Sequence, residues 1–315
     1  MQIGFDLGGT KMLAAVIDAD GEVVARNKNQ TEGADNDTVY KAILSTINGA
    51  IKKAGSSRKK ITAIGIAVPG PIDADSGVVL HTPNVALHEF PLAPRLADDI
   101  GCRVFLENDV NAGLWGEYIA GVGRGYRDVI GIFPGTGIGG GIVLDGRLYR
   151  GKDGRAGEIG HITVQSDGRR CGCGNHGCLE TVASKTAIAR DLALLAMNGQ
   201  SPVLAAAGAT DISVIKSGRI KKALEAGDPG VAAVVELAAR FLGIGMAAMV
   251  NTFDPEMILL GGGLVEKLGA RFTEPAETEM RARAMPHLVE GVTVAEAGLG
   301  DDAAIVGAAD LARQR

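Results

Sequence analysis

The sequence has no long run of lysine or arginine, and its 32 basic residues are outnumbered by 37 acidic ones, for a net charge of −5. Such a balance leaves no electrostatic footprint for nucleic acid, so a small anionic ligand would have to be met by local cations or helix N-termini. A basic start followed by an apolar stretch is also missing. The chain opens Met1-Gln2-Ile3-Gly4-Phe5-Asp6, and the expectation is a cytoplasmic protein rather than an exported one. The most apolar helical stretch, residues 231–250, carries Glu236 and Arg240 near its middle, which favours a core helix over a membrane span, and no membrane partner is expected. Cysteine is scarce. Of four, Cys102 stands alone in an apolar segment, while Cys171, Cys173 and Cys178 fall within eight positions; in a reducing compartment that clustering favours metal over disulfide.

Glycine, by contrast, is abundant at 46 residues, roughly twice its ~7% average share, and falls in short bursts without a period, as turns do. A length of 315 residues allows about two domains of ordinary size. Ile3, Phe5 and Leu7 alternate with Gly4 and Asp6, which predicts a strand with one acidic residue turned from the core. Gly8-Gly9-Thr10 turns the chain, and residues 12–17 and 22–26 continue an antiparallel meander. The helical spacing of Tyr40, Ile43, Leu44, Ile47 and Ile51, followed by the apolar run 61–68, reads as a crossover into a buried strand. A loop through Thr82-Pro83-Asn84 follows, then a helix over 92–100 and a buried strand over 102–106. The second half repeats this logic: a strand at 129–133, a turn over 135–141 and a returning strand at 142–144. Helices are expected around 184–198, 212–226 and 231–252, with a strand at 257–260 and a terminal helix from about Ala303. No composition break marks a linker. The domain boundary is expected near Asn108, with residues 1–108 and the terminal helix (about 300–315) forming a small domain and 109–299 a large one.

Asp6-Leu7-Gly8-Gly9-Thr10-Lys11 has the parts of a phosphate cradle: glycines admit the backbone, amides and a hydroxyl donate to oxygens, and Lys11 supplies charge. A plain hairpin turn shares that pattern. A second turn, Gly135-Thr136-Gly137, strengthens the reading, because two such turns from facing domains could grip a nucleotide's phosphates. Asp6 would then be available to hold a hydrated Mg²⁺, and Gly261-Gly262-Gly263 after a strand would offer flat backbone contact to an adenosine. Glu107-Asn108-Asp109 closes one strand and opens a helix. Asn and Asp are ordinary caps, yet a carboxylate at a strand's carboxyl end can accept the proton of a sugar hydroxyl attacking a γ-phosphate, which makes Asp109 the candidate general base. Glu158, in Ala156-Gly157-Glu158-Ile159-Gly160-His161, and Glu180 would add hydroxyl acceptors. Cys171-Gly172-Cys173-Gly174-Asn175-His176-Gly177-Cys178 supplies three thiolates suited to Zn²⁺ and leaves one tetrahedral position for a histidine. Spacing does not choose between His161 and His176.

Together these motifs resemble the ROK family of sugar kinases and repressors, in an order and spacing that cover nearly the whole chain. The cysteine loop, Cys-Gly-Cys-Gly-x-x-Gly-Cys-x-Glu, is the most specific element. The resemblance implies an α/β protein of two actin-like (ribonuclease H-like) ATPase domains around a central cleft, taking ATP and Mg²⁺ from one side and a hexose from the other. It assigns Asp109 as catalytic base, gives Asn84, Asn108, Asp109, Glu158, His161 and Glu180 to the sugar, and gives a structural Zn²⁺ to His161, Cys171, Cys173 and Cys178. The activity implied is ATP-dependent phosphorylation of a hexose. Glucose to glucose 6-phosphate comes first; fructose, mannose, allose, N-acetylglucosamine and N-acetylmannosamine are the alternatives. A homodimer or homotetramer is expected by analogy. The family's repressors carry an N-terminal helix-turn-helix domain ahead of the phosphate strand. This chain begins at that strand and holds Asp109, so the expectation is an enzyme rather than a sugar-binding regulator.

Overall fold

The computed structural model describes residues 1–314, and the chain forms two compact units. The first contains residues from Met1 to Gly125, the segment Leu148–Ala156 and the C-terminal stretch from Gly298; the second contains Tyr126–Arg147 and Gly157–Ala297.

In unit 1, β1 (Gln2–Leu7), β2 (Lys11–Ile17) and β3 (Val23–Gln30) form the antiparallel meander. Helix α1 (Asn36–Lys53), opened by an Asp35–Thr38 capping box, crosses to β4 (Ala63–Val68), parallel to β1. Ile3, Phe5 and Leu7 of β1 lie in one core with Val39, Ile43 and Ile47 of α1, each such side chain contributing ~1.5–3 kcal/mol by leaving water. Where the sequence predicts a loop, a small antiparallel sheet forms from β5 (Ile72–Asp73), β6 (Val78–His81) and β7 (His88–Phe90). Strands of two to four residues are too short to show a period. Helix α2 (Leu92–Ile100) and strand β8 (Arg103–Asn108) complete a sheet of order β3-β2-β1-β4-β8, and α3 (Asp109–Ala120) follows.

The division after Gly125 corrects the expected boundary near Asn108. Helix α3 stays with unit 1 because it packs on the C-terminal helix (Asp302–Gln314), which also lies across β1 and β4. The approach is too close for side chains: a Cβ on Gly307 would sit 1.9 Å from the Ala112 carbonyl oxygen, and one on Gly65 1.8 Å from that of Ala308.

Unit 2 repeats the plan. Strands β9 (Val129–Pro134), β10 (Ile138–Leu144), β11 (Arg147–Leu148, its second residue opening the segment assigned to unit 1), β12 (Met257–Leu260) and β13 (Thr293–Glu296) are ordered β11-β10-β9-β12-β13, again third-second-first-fourth-fifth. Between β11 and β12 lie the cysteine loop and α4 (Glu180–Ala183), α5 (Lys185–Met197), α6 (Pro202–Ala206), α7 (Ser217–Glu225) and α8 (Pro229–Phe253); α9 (Gly262–Leu268), α10 (Ala270–Arg283) and α11 (Pro286–Val289) precede β13. Two expectations change here. The second glycine turn spans only Gly135–Gly137, since Gly139, Gly140 and Gly141 belong to β10. Gly140 is required by packing, as its Cβ would lie 2.4 Å from the Gly157 oxygen. The predicted helix over 212–226 is a single 3₁₀ turn, Ile212–Val214, followed by α7. Helix α8 is long and apolar enough to cross a membrane by length and composition alone. It is seated in the core of unit 2, where Val235, Leu242 and Met246 join Phe272, Ala276 and Met280 of α10, and Arg240 pairs with Glu279 at 3.1 Å.

Candidate active site

Three parallel strands of unit 1 end level with one another: Asp6 of β1 pairs with Ala67 of β4, and Ala67 with Glu107 of β8. Beyond Glu107, Asn108 caps α3, its Oδ1 accepting from the amides of Val110 (3.0 Å) and Asn111 (3.2 Å). The Asn108 Nδ2 donates to Asp109 Oδ1 at 3.2 Å, and the same oxygen accepts from Val110 N at 2.9 Å. Asp109 Oδ2 has no partner among the described residues. Burial pushes the Asp109 carboxyl up to about 6, against the pull of those hydrogen bonds. Asp6 is likewise lifted to about 6, by burial first and then by the charge of Asp109, with Lys11 pulling the other way. Two partly buried carboxylates that repel one another make one end of this sheet both basic and receptive to a hard cation.

The turn after Asp6 is closed by Gly8 N donating to the Lys11 carbonyl (3.0 Å) and by the Thr31 hydroxyl donating to the Gly8 carbonyl (2.6 Å). Among the described residues, the amides of Gly9 and Thr10 and the Thr10 hydroxyl have no partner, which leaves three donors for phosphate oxygens. A Cβ on Gly9 would lie 2.7 Å from Cβ of Asn84, so the exposed loop between β6 and β7 rests Asn84 directly on this turn. The Lys11 ammonium donates to Asp301 Oδ2 at 2.6 Å. Asp301 stands 290 positions away, with no motif around it to mark the pairing.

In unit 2 the Gly135–Gly137 turn is closed by Gly135 N donating to the Gly137 carbonyl at 2.8 Å. It is braced by the start of α5, where Lys185 Nζ donates to the Thr136 hydroxyl (3.2 Å) and the Thr186 hydroxyl to the Thr136 carbonyl (2.7 Å). The amides of Thr136 and Gly137 have no partner among the described residues. Glu180 is engaged here: its Oε2 accepts from Ile138 N at 3.0 Å, and a Cβ on Gly137 would lie 2.2 Å from that oxygen. At the Gly261-Gly262-Gly263 turn, Gly261 is packed on the Phe133 ring and Gly262, at φ +83°, on Pro134; only Gly263 faces open space.

His161, Cys171, Cys173 and Cys178 converge so that one donor atom from each lies within 4.8 Å of every other. His161 Nδ1 is 3.5 Å from Cys171 Sγ, and Cys173 Sγ is 3.7 Å from Cys178 Sγ. Tetrahedral ligands at ~2.3 Å for sulfur and ~2.0 Å for nitrogen stand about 3.5–3.8 Å apart, so the set is already at metal-binding spacing. Burial pushes Cys171 up, and burial with the neighbouring sulfurs pushes Cys178 up to about 12, while the Asn175 amide draws exposed Cys173 down. Three crowded sulfurs can ionise together only around a cation. His176 points elsewhere, with its Nδ1 3.2 Å from the Gly168 carbonyl. The other nitrogen of His161, Nε2, lies 3.9 Å from exposed Glu158, so this ring links the metal cluster to a carboxylate free for hydroxyl groups. Glu180 Oε1 is 3.8 Å from Cys171 Sγ, which joins the cluster to the second glycine turn.

A family model described as the ROK family matches residues 2–315. The chain belongs to the ROK family. The glucokinase of Halalkalibacterium halodurans is 35% identical over 321 residues, covering 99% of this chain and 95% of that protein. A ROK family glucokinase from Streptomyces griseus, solved in complex with glucose and AMPPNP, is 36% identical with a TM-score of 0.81, covering 100% of this chain and 99% of that one. The xylose repressor of Caldicellulosiruptor bescii is 35% identical over 260 residues, covering 82% of this chain and 65% of that protein. The fold is therefore the actin-like ATPase fold of ROK kinases, in a family that also holds regulators.

Proposed function

We propose that this ROK protein transfers the γ-phosphoryl group of ATP to a hexose, with glucose, converted to glucose 6-phosphate, as the first candidate. The observation that carries the reading is Asp109, a partly buried carboxylate at a strand's carboxyl end with one oxygen held by Val110 and Asn108 and the other unengaged. A group lifted to about 6 is ionised at neutral pH yet basic enough to take a proton from a hydroxyl as it attacks phosphorus. The free amides of Gly9, Thr10, Thr136 and Gly137 are donors suited to phosphate oxygens. Asp6 would hold a hydrated Mg²⁺, whose contribution is to neutralise phosphate charge. His161 and the three cysteines of the loop suit Zn²⁺, a cross-link that would fix Glu158 and Glu180 in place for sugar hydroxyls. Glucose and ATP are favoured because two relatives, 35% and 36% identical over nearly the full length of both chains, are glucokinases, one of them holding glucose and AMPPNP. A cytoplasmic homodimer or homotetramer is the setting we propose.

The second reading, a sugar-binding regulator, is supported by the repressor relative. A coupled ADP-release assay with Mg-ATP against glucose, mannose, fructose, N-acetylglucosamine and N-acetylmannosamine separates the two. One strongly preferred sugar supports the kinase and names its substrate. Sugar binding by calorimetry without sugar-stimulated ADP release makes the protein a sensor, and the role of Asp109 falls.

A further inference from the structure

The kinase reading leaves one buried ion pair without a role. Glu107, the residue before the Asn108 cap, is only 6% exposed, and its carboxylate collects four donors. Its Oε2 accepts from Arg150 Nε at 2.7 Å and lies 2.7 Å from Arg150 Nη2. Its Oε1 accepts from the backbone amide of Asn108 at 3.1 Å and from Asn111 Nδ2 at 3.2 Å. Asn111 is 2% exposed, and in turning its amide group to Glu107 it leaves its own Oδ1 without a partner among the described residues. Glu107 thus fixes the first turn of α3 from both sides of Asp109.

Arg150 reaches this site from the segment Leu148–Ala156, which lies in unit 1 although the chain on either side of it belongs to unit 2. The segment is looped back on itself, with the Ala156 amide donating to the Arg150 carbonyl at 3.0 Å. Two guanidinium nitrogens converging on the one oxygen Oε2 hold that oxygen in place as well as balance its charge, which leaves Oε1 to Asn108 and Asn111.

We infer that Arg150 is a positioning residue for phosphoryl transfer. It orients Glu107, Glu107 orients the Asn108 amide and the Asn111 side chain, and these aim the free oxygen of Asp109, with no contact to substrate. This inference rests on the kinase reading. Without Arg150 the buried carboxylate loses its charged partner and is drawn toward water, which moves the acceptor that holds Asn108. Misplacing a catalytic group by ~1 Å costs on the order of 100-fold in rate.

The test compares wild type, Arg150→Met, Arg150→Lys and the double variant Glu107→Met/Arg150→Met in sugar-stimulated ADP release, with thermal unfolding and metal content alongside. Arg150→Met is expected to lower kcat by ~10–100-fold while KM for sugar and ATP moves less than about threefold. Arg150→Lys, which keeps the charge but loses the two-point grip, should recover only part of that loss. The double variant removes the unpaired charge and so should regain thermal stability while kcat stays low. A folded Arg150→Met with kcat within about twofold of wild type overturns the inference, as does a double variant in which kcat returns with stability. If Arg150→Met does not fold, the Lys and double variants carry the comparison by the same criteria. A wild type with no sugar-dependent turnover overturns the kinase reading and this inference with it; an active wild type with indifferent variants overturns this inference alone.

Discussion

Replacing Asp109 by asparagine removes a charge from a place where the fold tolerates one poorly, so the variant is expected to lose catalysis and gain stability. Burial lifts this carboxyl from 3.8 to about 6, and at ~1.4 kcal/mol per pH unit the ionised form opposes folding by up to ~3 kcal/mol. The side chain is partly exposed and water screens it, so about half of that, ~1–1.5 kcal/mol, is the expected gain. The sign follows from proton affinity. A carboxylate whose pKa is raised by folding binds its proton more tightly when folded, so the penalty is fully present above about pH 6 and fades as pH falls toward 3.8. Asparagine keeps the shape, and its Oδ1 can still accept from Val110 N and Asn108 Nδ2. It also lifts a repelling charge from Asp6. Thermal unfolding of both proteins should show the variant ~2–5 °C higher near pH 8, with the gap narrowing near pH 5, while turnover drops by ~10²–10⁴. A variant less stable than wild type near pH 8, or a gain that persists undiminished at low pH, would refute burial of the charge as the cause. Near-normal turnover removes Asp109 as the base.

Three further outcomes follow from the same geometry. Wild-type kcat should fall about tenfold per pH unit below about pH 6 as Asp109 takes up its proton; a profile flat to about pH 5 contradicts the assignment. Cys173→Ala should release the metal and weaken sugar binding by ~10-fold or more, since His161 and Glu158 lose their anchor; metal analysis that still finds one zinc per chain removes the claim. Gly137→Ala places a methyl group 2.2 Å from Glu180 Oε2 and should raise KM for ATP by ~10-fold with metal content unchanged; an unaltered KM shows that this turn does not hold phosphate.

The parts of the site that could be read before any fold was known are those whose chemistry is local. Both glycine turns and the cysteine loop hold their donors within a few residues, so residue type and spacing were enough to expect them. The pairing of Lys11 with Asp301 and of Arg150 with Glu107 joins residues 290 and 43 positions apart, and Arg150 stands in a charged stretch with Lys152, Asp153 and Arg155 that has nothing to set it apart. The boundary at Gly125 is not legible in sequence because α3 meets the C-terminal helix through small residues, Ala112 and Gly116 against Ala303 and Gly307, which look like ordinary helix residues. Gly139 to Gly141 read as turn in sequence because glycine has two uses, a free backbone and an absent side chain, and the packing of Gly157 on Gly140 shows that the second applies. The larger gain from the fold is knowing which donors are already engaged. The family resemblance gives Asn108 and Glu180 to the sugar, and the fold adds that Asn108 caps α3, as its residue type allows, and that Glu180 is held by the Ile138 amide. Of the carboxylates expected at the sugar, Asp109 and the exposed Glu158 each keep an oxygen without a hydrogen-bond partner among the described residues, so a substitution at Glu158 should change sugar affinity with little change in stability, whereas one at Asn108 or Glu180 should change function and stability together.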